Sequence, residues 1–279
     1  MRGMKAKTIR KVLRAKLDAL LETLVGTPLH DMVADDAIVT GGSIASMLLG
    51  EDVNDFDIYF RRQETAIAVA EHYVKQYLCD NEFVEMSVLV DGDRVAIRIP
   101  SEGMVGGERL DSADGECVAD DAGGEFVPVF ISQHAITLSG QVQLIVRFTG
   151  EADDIHKNYD FVHCTNHWSA KTDELVLHPK ALESLLSKEL SYQGSLYPVC
   201  SVIRLRKFIA RGWVINAGQI LKMMLQVSEL DLTDIEVLED QLTGVDTAYF
   251  FSLLQQLKEG SPEKINAAYV SEIIERVFG

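Results

Sequence analysis

Ile38-Val39-Thr40-Gly41-Gly42-Ser43, followed after eleven residues by Asp55-Phe56-Asp57-Ile58-Tyr59-Phe60, is the stretch on which the fold turns. Ala37 to Thr40 predicts a short buried strand and Ile44 to Leu49 a helix stopped near Gly50, so Gly41-Gly42-Ser43 is a strand-to-helix turn. Such a turn gathers backbone N–H groups and the positive end of a helix at one spot, which favours an anion. Glycine permits the tight turn and the close approach of a ligand, and the Ser43 hydroxyl can bond a phosphate oxygen. Phe56 to Phe60 predicts a second strand. Side chains alternate across a strand, so Asp55 and Asp57 share a face, where two like charges repel. A divalent cation relieves that repulsion. Hard oxygen ligands suit magnesium or manganese, with water and substrate phosphates completing the shell.

Upstream, Ile9, Val12, Leu13, Leu17, Leu20, Leu21 and Leu24 recur at helical spacing and predict an amphipathic helix to about Val25, ended by Gly26 and Pro28. Residues 1–17 carry seven basic residues and no acid, whereas the rest of the chain carries 19 basic and 43 acidic residues within a total net charge of −17. The basic face of this helix reads as a solvated surface or as an RNA-touching arm. An acidic body repels a long polyanion, so any nucleic-acid contact has to be local.

Downstream, Glu64 to Leu78 predicts a longer helix, and Phe83 to Val90 and Arg94 to Ile99 flank the hairpin turn Asp91-Gly92. Residues 101–125 hold six glycines and eight acids against one arginine and read as an exposed insertion. Strands are expected at Phe126 to Ile131, Gln141 to Phe148 and Tyr159 to Cys164. Beyond Pro179 helices are expected at about 180–190, 198–211, 216–227, 234–242, 246–258 and 263–277. The plan is α+β: a small mixed sheet over about 1–175, then a helical domain over 176–279. Four widely spaced cysteines without a CxxC pair read as reduced thiols. The chain shows no apolar run of membrane-spanning length and no secretory segment, so the expected location is the cytoplasm.

The pairing of Gly41-Gly42-Ser43 with Asp55-Phe56-Asp57 resembles the signature of the DNA polymerase β-type nucleotidyltransferase superfamily, and the string from Val39 through Met47-Leu48-Leu49-Gly50 to Asp57 is most similar to the head of CCA-adding enzymes and poly(A) polymerases. The resemblance implies a palm-like catalytic domain in which Asp55 and Asp57 bind two magnesium ions (manganese being the substitute) and Gly42 and Ser43, with Gly41, hold the triphosphate of an NTP such as ATP. It implies transfer of a nucleoside monophosphate to an acceptor hydroxyl with release of pyrophosphate, an RNA 3′ end of tRNA type being the expected acceptor. A third carboxylate on a later strand completes the metal site in many members, and Asp160, opening Tyr159-Asp160-Phe161-Val162-His163-Cys164, is the candidate. Ala45-Ser46 stands where CCA-adding enzymes usually carry Arg-Asp, so the resemblance does not extend to the base transferred. A protein or small-molecule hydroxyl as acceptor, and a non-catalytic nucleotide sensor on the same fold, are the alternative readings.

Arg204, Lys207 and Arg211 fall on one wedge of the helix at 198–211, opposite Val202, Leu205, Phe208, Ile209 and Trp213. They are candidates for gripping a triphosphate or an RNA backbone, and a solvated face is the plainer alternative. Arg206, off the stripe, is expected to be buried and paired. His163, Cys164 and His167 form a compact group, but a strand would point His163 and Cys164 to opposite faces, against a shared zinc ion.

Overall fold

The computed structural model describes residues 3–81, 85–99, 126–242 and 275. Two compact units divide them: one formed from residues within 1–109, 117–157 and 163–185, the other from residues within 158–162 and 186–279.

The first unit is a mixed sheet backed by helices. Helix α1 (Ala6–Thr23) buries Ile9, Leu13, Leu17, Leu20 and Leu21, one stripe at helical period. Three of the basic residues that make the opposite face charged are engaged inside the unit. Arg10 pairs with Asp173 at 2.6 Å, Arg14 donates to the Ala170 carbonyl at 2.6 Å, and Lys16 donates to the Gly140 carbonyl at 2.9 Å. Lys5, Lys7 and Lys11 remain exposed.

The sequence reading places no helix between Pro28 and the first strand, yet α2 (Leu29–Asp36) forms there. Pro28 sits at its start, where a missing N–H costs nothing, and Leu29 and Val33, four apart, bury together. Next come β1 (Ala37–Thr40), α3 (Gly42–Leu49), β2 (Phe56–Phe60) and α4 (Gln63–Asp80), close to the bounds expected. Gly50, at φ 71°, ends α3 in the left-handed conformation that glycine adopts without strain. Helix α4 buries Ala66, Val69, Ala70, Tyr73, Val74 and Tyr77.

Its N-terminus is tied down by a residue from another helix. The Asp36 carboxylate, 2% exposed, accepts from Arg62 Nε at 2.8 and 2.9 Å, from the Arg62 N–H at 3.3 Å and from the Thr65 hydroxyl. Asp36→Ala leaves the buried Thr65 hydroxyl, the Arg62 N–H just before α4 and the Arg62 guanidinium without this acceptor. The expected loss is about 1–3 kcal/mol in urea unfolding, and most of it should vanish when Thr65→Val is already present, because the two residues act as one unit.

The hairpin β3 (Ser87–Asp91) and β4 (Arg94–Arg98) forms as expected around Gly92, at φ 55°. It is followed by β5 (Pro128–Ile131), β6 (Ala135–Leu138), β7 (Val142–Thr149), α5 (Ala152–His156), β8 (His167–Ser169), β9 (Glu174–Val176) and α6 (Pro179–Ser187). Among the described residues the main sheet runs β5-β6-β7-β2-β1-β8-β9. Every neighbour is antiparallel except β2 and β7, so β1 and β2 stand near the middle of a mixed sheet, covered on both faces.

Two expectations are corrected. The strand expected over Tyr159 to Cys164 is instead a single bridge, Phe161 to Tyr192, followed by a 3-10 turn at Val162–Cys164. Phe161 keeps that one bridge, and the chain then closes the 3-10 turn instead of running on as a strand. Strands β6, β8 and β9, three or four residues each, were absent from the sequence reading.

The second unit continues with α7 (Pro198–Ala210), α8 (Ala217–Ser228) and α9 (Ile235–Leu242). Phe161, Tyr192, Phe208 and Trp213 meet edge-on there, with ring centroids 5.4–6.0 Å apart. The α+β plan with a helical C-terminal region therefore holds. The insertion at 101–125, Cys117 and the helices expected at 246–258 and 263–277 lie outside the described residues, apart from Glu275, which is helical. Among the described residues no disulfide joins Cys79, Cys164 or Cys200, and no helix is long and apolar enough to cross a membrane.

Candidate functional site

Gly41 joins β1 to α3 with φ 96° and ψ −151°, a conformation reserved in practice for glycine. Its N–H donates to the Cys164 carbonyl at 3.2 Å, which fastens the turn to the segment beside β8. Gly42 opens α3, and a side chain built there would meet nothing within 4 Å, so the space over the helix start is open. No side chain caps that helix. Ser43, 2% exposed in the first turn of α3, has a buried hydroxyl without a hydrogen-bond partner. A buried hydroxyl left unpaired beside uncapped backbone donors is a cradle suited to phosphate oxygens.

Strand β2 lies antiparallel to β1, with Val39 opposite Ile58, so the next step of the same register sets Thr40 level with Asp57. Asp55 and Asp57, both half-buried, thus stand beside the glycine turn. Burial, and then the charge of Asp55, push the Asp57 carboxyl up to about 7. Burial is the larger cause and the neighbouring carboxylate the smaller, and a divalent cation at the pair would offset both. The residues present therefore fit magnesium or manganese. Directly behind the turn, Ala45 and Ser46 are 5% and 8% exposed and face the core of α3, which accounts for small residues at these positions.

The structure thus gathers Gly41, Gly42, Ser43, Asp55 and Asp57 in the first unit. Asp160 belongs to the second, where it accepts from the Phe161 N–H at 2.9 Å and is ion-paired with Arg204. Arg204 is half-buried on α7, while Lys207 and Arg211 are exposed. The apolar face expected opposite them is only partly covered: Trp213 is buried, but Val202 and Ile209 are about half exposed. Arg206, expected to be buried and paired, is exposed, because α7 turns that edge to solvent.

One cluster escaped the sequence reading. His156 at the end of α5, His167 on β8 and His178 before α6 converge, with one ring nitrogen from each within 4.8 Å of the others. They lie eleven residues apart in turn, about three turns of a single helix, but each belongs to a different segment, so no one helix or strand brings them together.

A family model described as "Gabija anti-defense 2 family protein" matches residues 9–188. A curated relative, Gabija anti-defense 2 of Bacillus phage SPbetaL7, is 22% identical over 227 residues, covering 81% of this chain and 46% of that protein. The chain thus spans about half the length of the relative. Among solved structures, a Thermotoga maritima CCA-adding enzyme complexed with tRNA is similar at 15% identity with a TM-score of 0.45, over 98% of this chain and 52% of the other. A CCA-adding enzyme complexed with CTP is similar at 16% identity and the same TM-score, over 99% and 53%.

Proposed function

The chain belongs to the Gabija anti-defense 2 family, and we propose that within it this protein is a metal-dependent nucleotidyltransferase that moves a nucleoside monophosphate from an NTP to an acceptor hydroxyl, releasing pyrophosphate. The observation that carries the proposal is the placement of Asp55 and Asp57, half-buried at the start of β2, one strand away from a glycine turn with an orphaned serine hydroxyl. In this reading Asp55 and Asp57 hold the divalent cations. Bound there, magnesium would lower the pKa of the acceptor hydroxyl and neutralise charge on the triphosphate. The chain's own residues position the substrate: the amides of Gly42 and Ser43 and the Ser43 hydroxyl orient phosphate oxygens, and the buried wall of β1 and β2 excludes water from that side. Asp160 enters as the third carboxylate only through the resemblance; its observed partner is Arg204.

The proposed acceptor is an RNA 3′ hydroxyl. Exposed Lys5 just before α1, Lys7 and Lys11 on it, Lys207 on α7 and Arg211 at its end support it as local cations on an acidic chain. The family description sets the proposed purpose, which is to counter Gabija defence by modifying such an acceptor.

Two neighbouring glycines give a sharp test. Gly42→Ala has room for its methyl group, so unfolding should change by no more than about 0.5 kcal/mol. That methyl group would stand over the helix start, and nucleotide affinity measured by calorimetry with magnesium should fall. Gly41→Ala forces a side chain into φ 96° and should cost about 1–3 kcal/mol of stability. If Gly42→Ala binds nucleotide as the parent does, the turn is not the phosphate cradle.

A further inference from the structure

We propose that His156, His167 and His178 form a second metal site, separate from the two aspartates, that binds one zinc ion. The three rings come from α5, β8 and the segment before α6, with centroids 5.6–5.9 Å apart and the nearest ring nitrogens within 4.8 Å. Tetrahedral zinc at about 2.0–2.1 Å from each nitrogen draws such atoms to roughly 3.4 Å apart, which small ring rotations achieve. An all-imidazole set is the chemistry of zinc and its neighbours in the transition series, whereas magnesium and calcium take oxygen.

The surroundings point to a ligand. His167 Nδ1 and His178 Nε2 are buried without a hydrogen-bond partner, an unusual condition for two imidazoles side by side and one that coordination would satisfy. His156 is pinned from behind. The Thr40 hydroxyl lies 2.8 Å from His156 Nε2 and 2.9 Å from the Asn166 carbonyl. A hydroxyl has one proton to give and the carbonyl can only accept it, so Thr40 accepts from His156 Nε2–H, which leaves the lone pair of the neutral ring on Nδ1. The Asn166 side chain in turn accepts from the His178 backbone N–H at 2.9 Å.

Burial, then the neighbouring rings of His167 and His178, hold His156 down to about 4, and burial followed by His178 lowers His167, so both are neutral ligands near pH 7. The charges acting on them are those of Asp153, Glu151 and Arg61, not those of Asp55 and Asp57. Asp153 lies one helical turn before His156 on α5 and its charge acts on both His156 and His167, while water can supply a fourth ligand. Thr40 immediately precedes the glycine turn, so a metal here would staple α5, β8 and the 166–178 segment behind Gly41.

The test is direct. Full-length protein is stripped with chelator, dialysed with zinc or cobalt, and measured for bound metal and visible absorption. We expect about one zinc per chain, tetrahedral cobalt bands that zinc bleaches, and a higher Tm with zinc than without. His167→Gln and His178→Gln should lose the bands, Thr40→Val should weaken zinc by about 10–100-fold, and Asp57→Asn should keep the full stoichiometry. Folded wild-type protein that takes up neither metal overturns the proposal, a result that needs no variant to fold. So does cobalt binding that survives in both histidine variants or is lost with Asp57→Asn.

Discussion

Asp57→Asn is expected to abolish nucleotide transfer and, in the same protein, to raise stability above pH 7 in the absence of metal. The side chain keeps its size but loses the charge that holds a divalent cation. Such an ion contributes several kcal/mol to transition-state stabilisation, so transfer should fall by about 1,000-fold or more. The stability effect follows from a carboxyl pushed up to about 7 against an ordinary value of 3.8. Below about pH 4 Asp57 is neutral in both the folded and the unfolded chain, and no penalty arises. Between about 4 and 7 the unfolded chain gives up this proton while the folded chain keeps it, so stability is lost steadily as pH rises. Above about 7 the penalty is complete. Asparagine never acquires the charge, so the Tm of the variant should match the parent near pH 4 and rise above it increasingly toward pH 8. Magnesium should narrow the gap by stabilising the parent alone. Asp55→Asn should also stop transfer, while allowing Asp57 to ionise at a lower pH because a neighbouring charge has gone. A pH-independent difference in Tm would contradict the placement of Asp57.

Trp168→Ala is expected to be the most damaging single change to the first unit, at about 3–5 kcal/mol. The side chain is fully buried on β8, paired with Val39 on one side and Leu175 on the other, so it sits against the strand that carries the glycine turn. Its indole N–H donates to Asp173 at 3.1 Å, and the Arg14 guanidinium lies 4.7 Å from the ring. Arg14 also donates to the Ala170 carbonyl and lies 3.5 Å from Asp173, so the tryptophan, the arginine and the aspartate together tie α1 to the edge of the sheet. Arg14→Ala removes the outer part of this arrangement and should cost about 1–2 kcal/mol, because a half-exposed ion pair contributes little and the hydrogen bond and stacking supply the rest. Guanidinium unfolding compares the two. A loss below about 1 kcal/mol for Trp168→Ala would mean the site collapses around the gap far better than large-to-small core changes ordinarily allow.

The glycine turn and the two aspartates were legible because their signals are local. Gly41 needs a positive φ, Gly50 closes a helix, and Asp55 and Asp57 alternate with apolar residues whatever the rest of the chain does. Helix α1 and helix α4 were legible because eighteen residues repeat one period. The short strands β8 and β9 were not, since three residues hold no period and these exist only because β1 offers an edge to pair with. Tyr159 to Cys164 misled for the opposite reason: its aromatic and β-branched composition favours a strand, but the segment makes only the bridge from Phe161 to Tyr192 before turning at Val162–Cys164. The histidine cluster was illegible in principle. Local alternation was the ground for setting aside a group of His163, Cys164 and His167, whereas the partners of His167 arrive from α5 and from the segment before α6 through the tertiary fold. Likewise the basic face of α1 reads as one surface in sequence, and the structure divides it between Arg10, Arg14 and Lys16, bound within the unit, and three exposed lysines.

The central claim is that Asp55 and Asp57 serve a nucleotidyl transfer, and the most direct measurement incubates the protein with each of the four α-labelled nucleoside triphosphates and magnesium against total cellular RNA and, separately, protein extract. The account predicts label entering the RNA fraction with matching pyrophosphate release, lost when magnesium is chelated and lost in Asp55→Asn and Asp57→Asn. Label that persists in both aspartate variants, or folded wild-type protein that binds nucleotide yet labels neither fraction and releases no pyrophosphate, would contradict it.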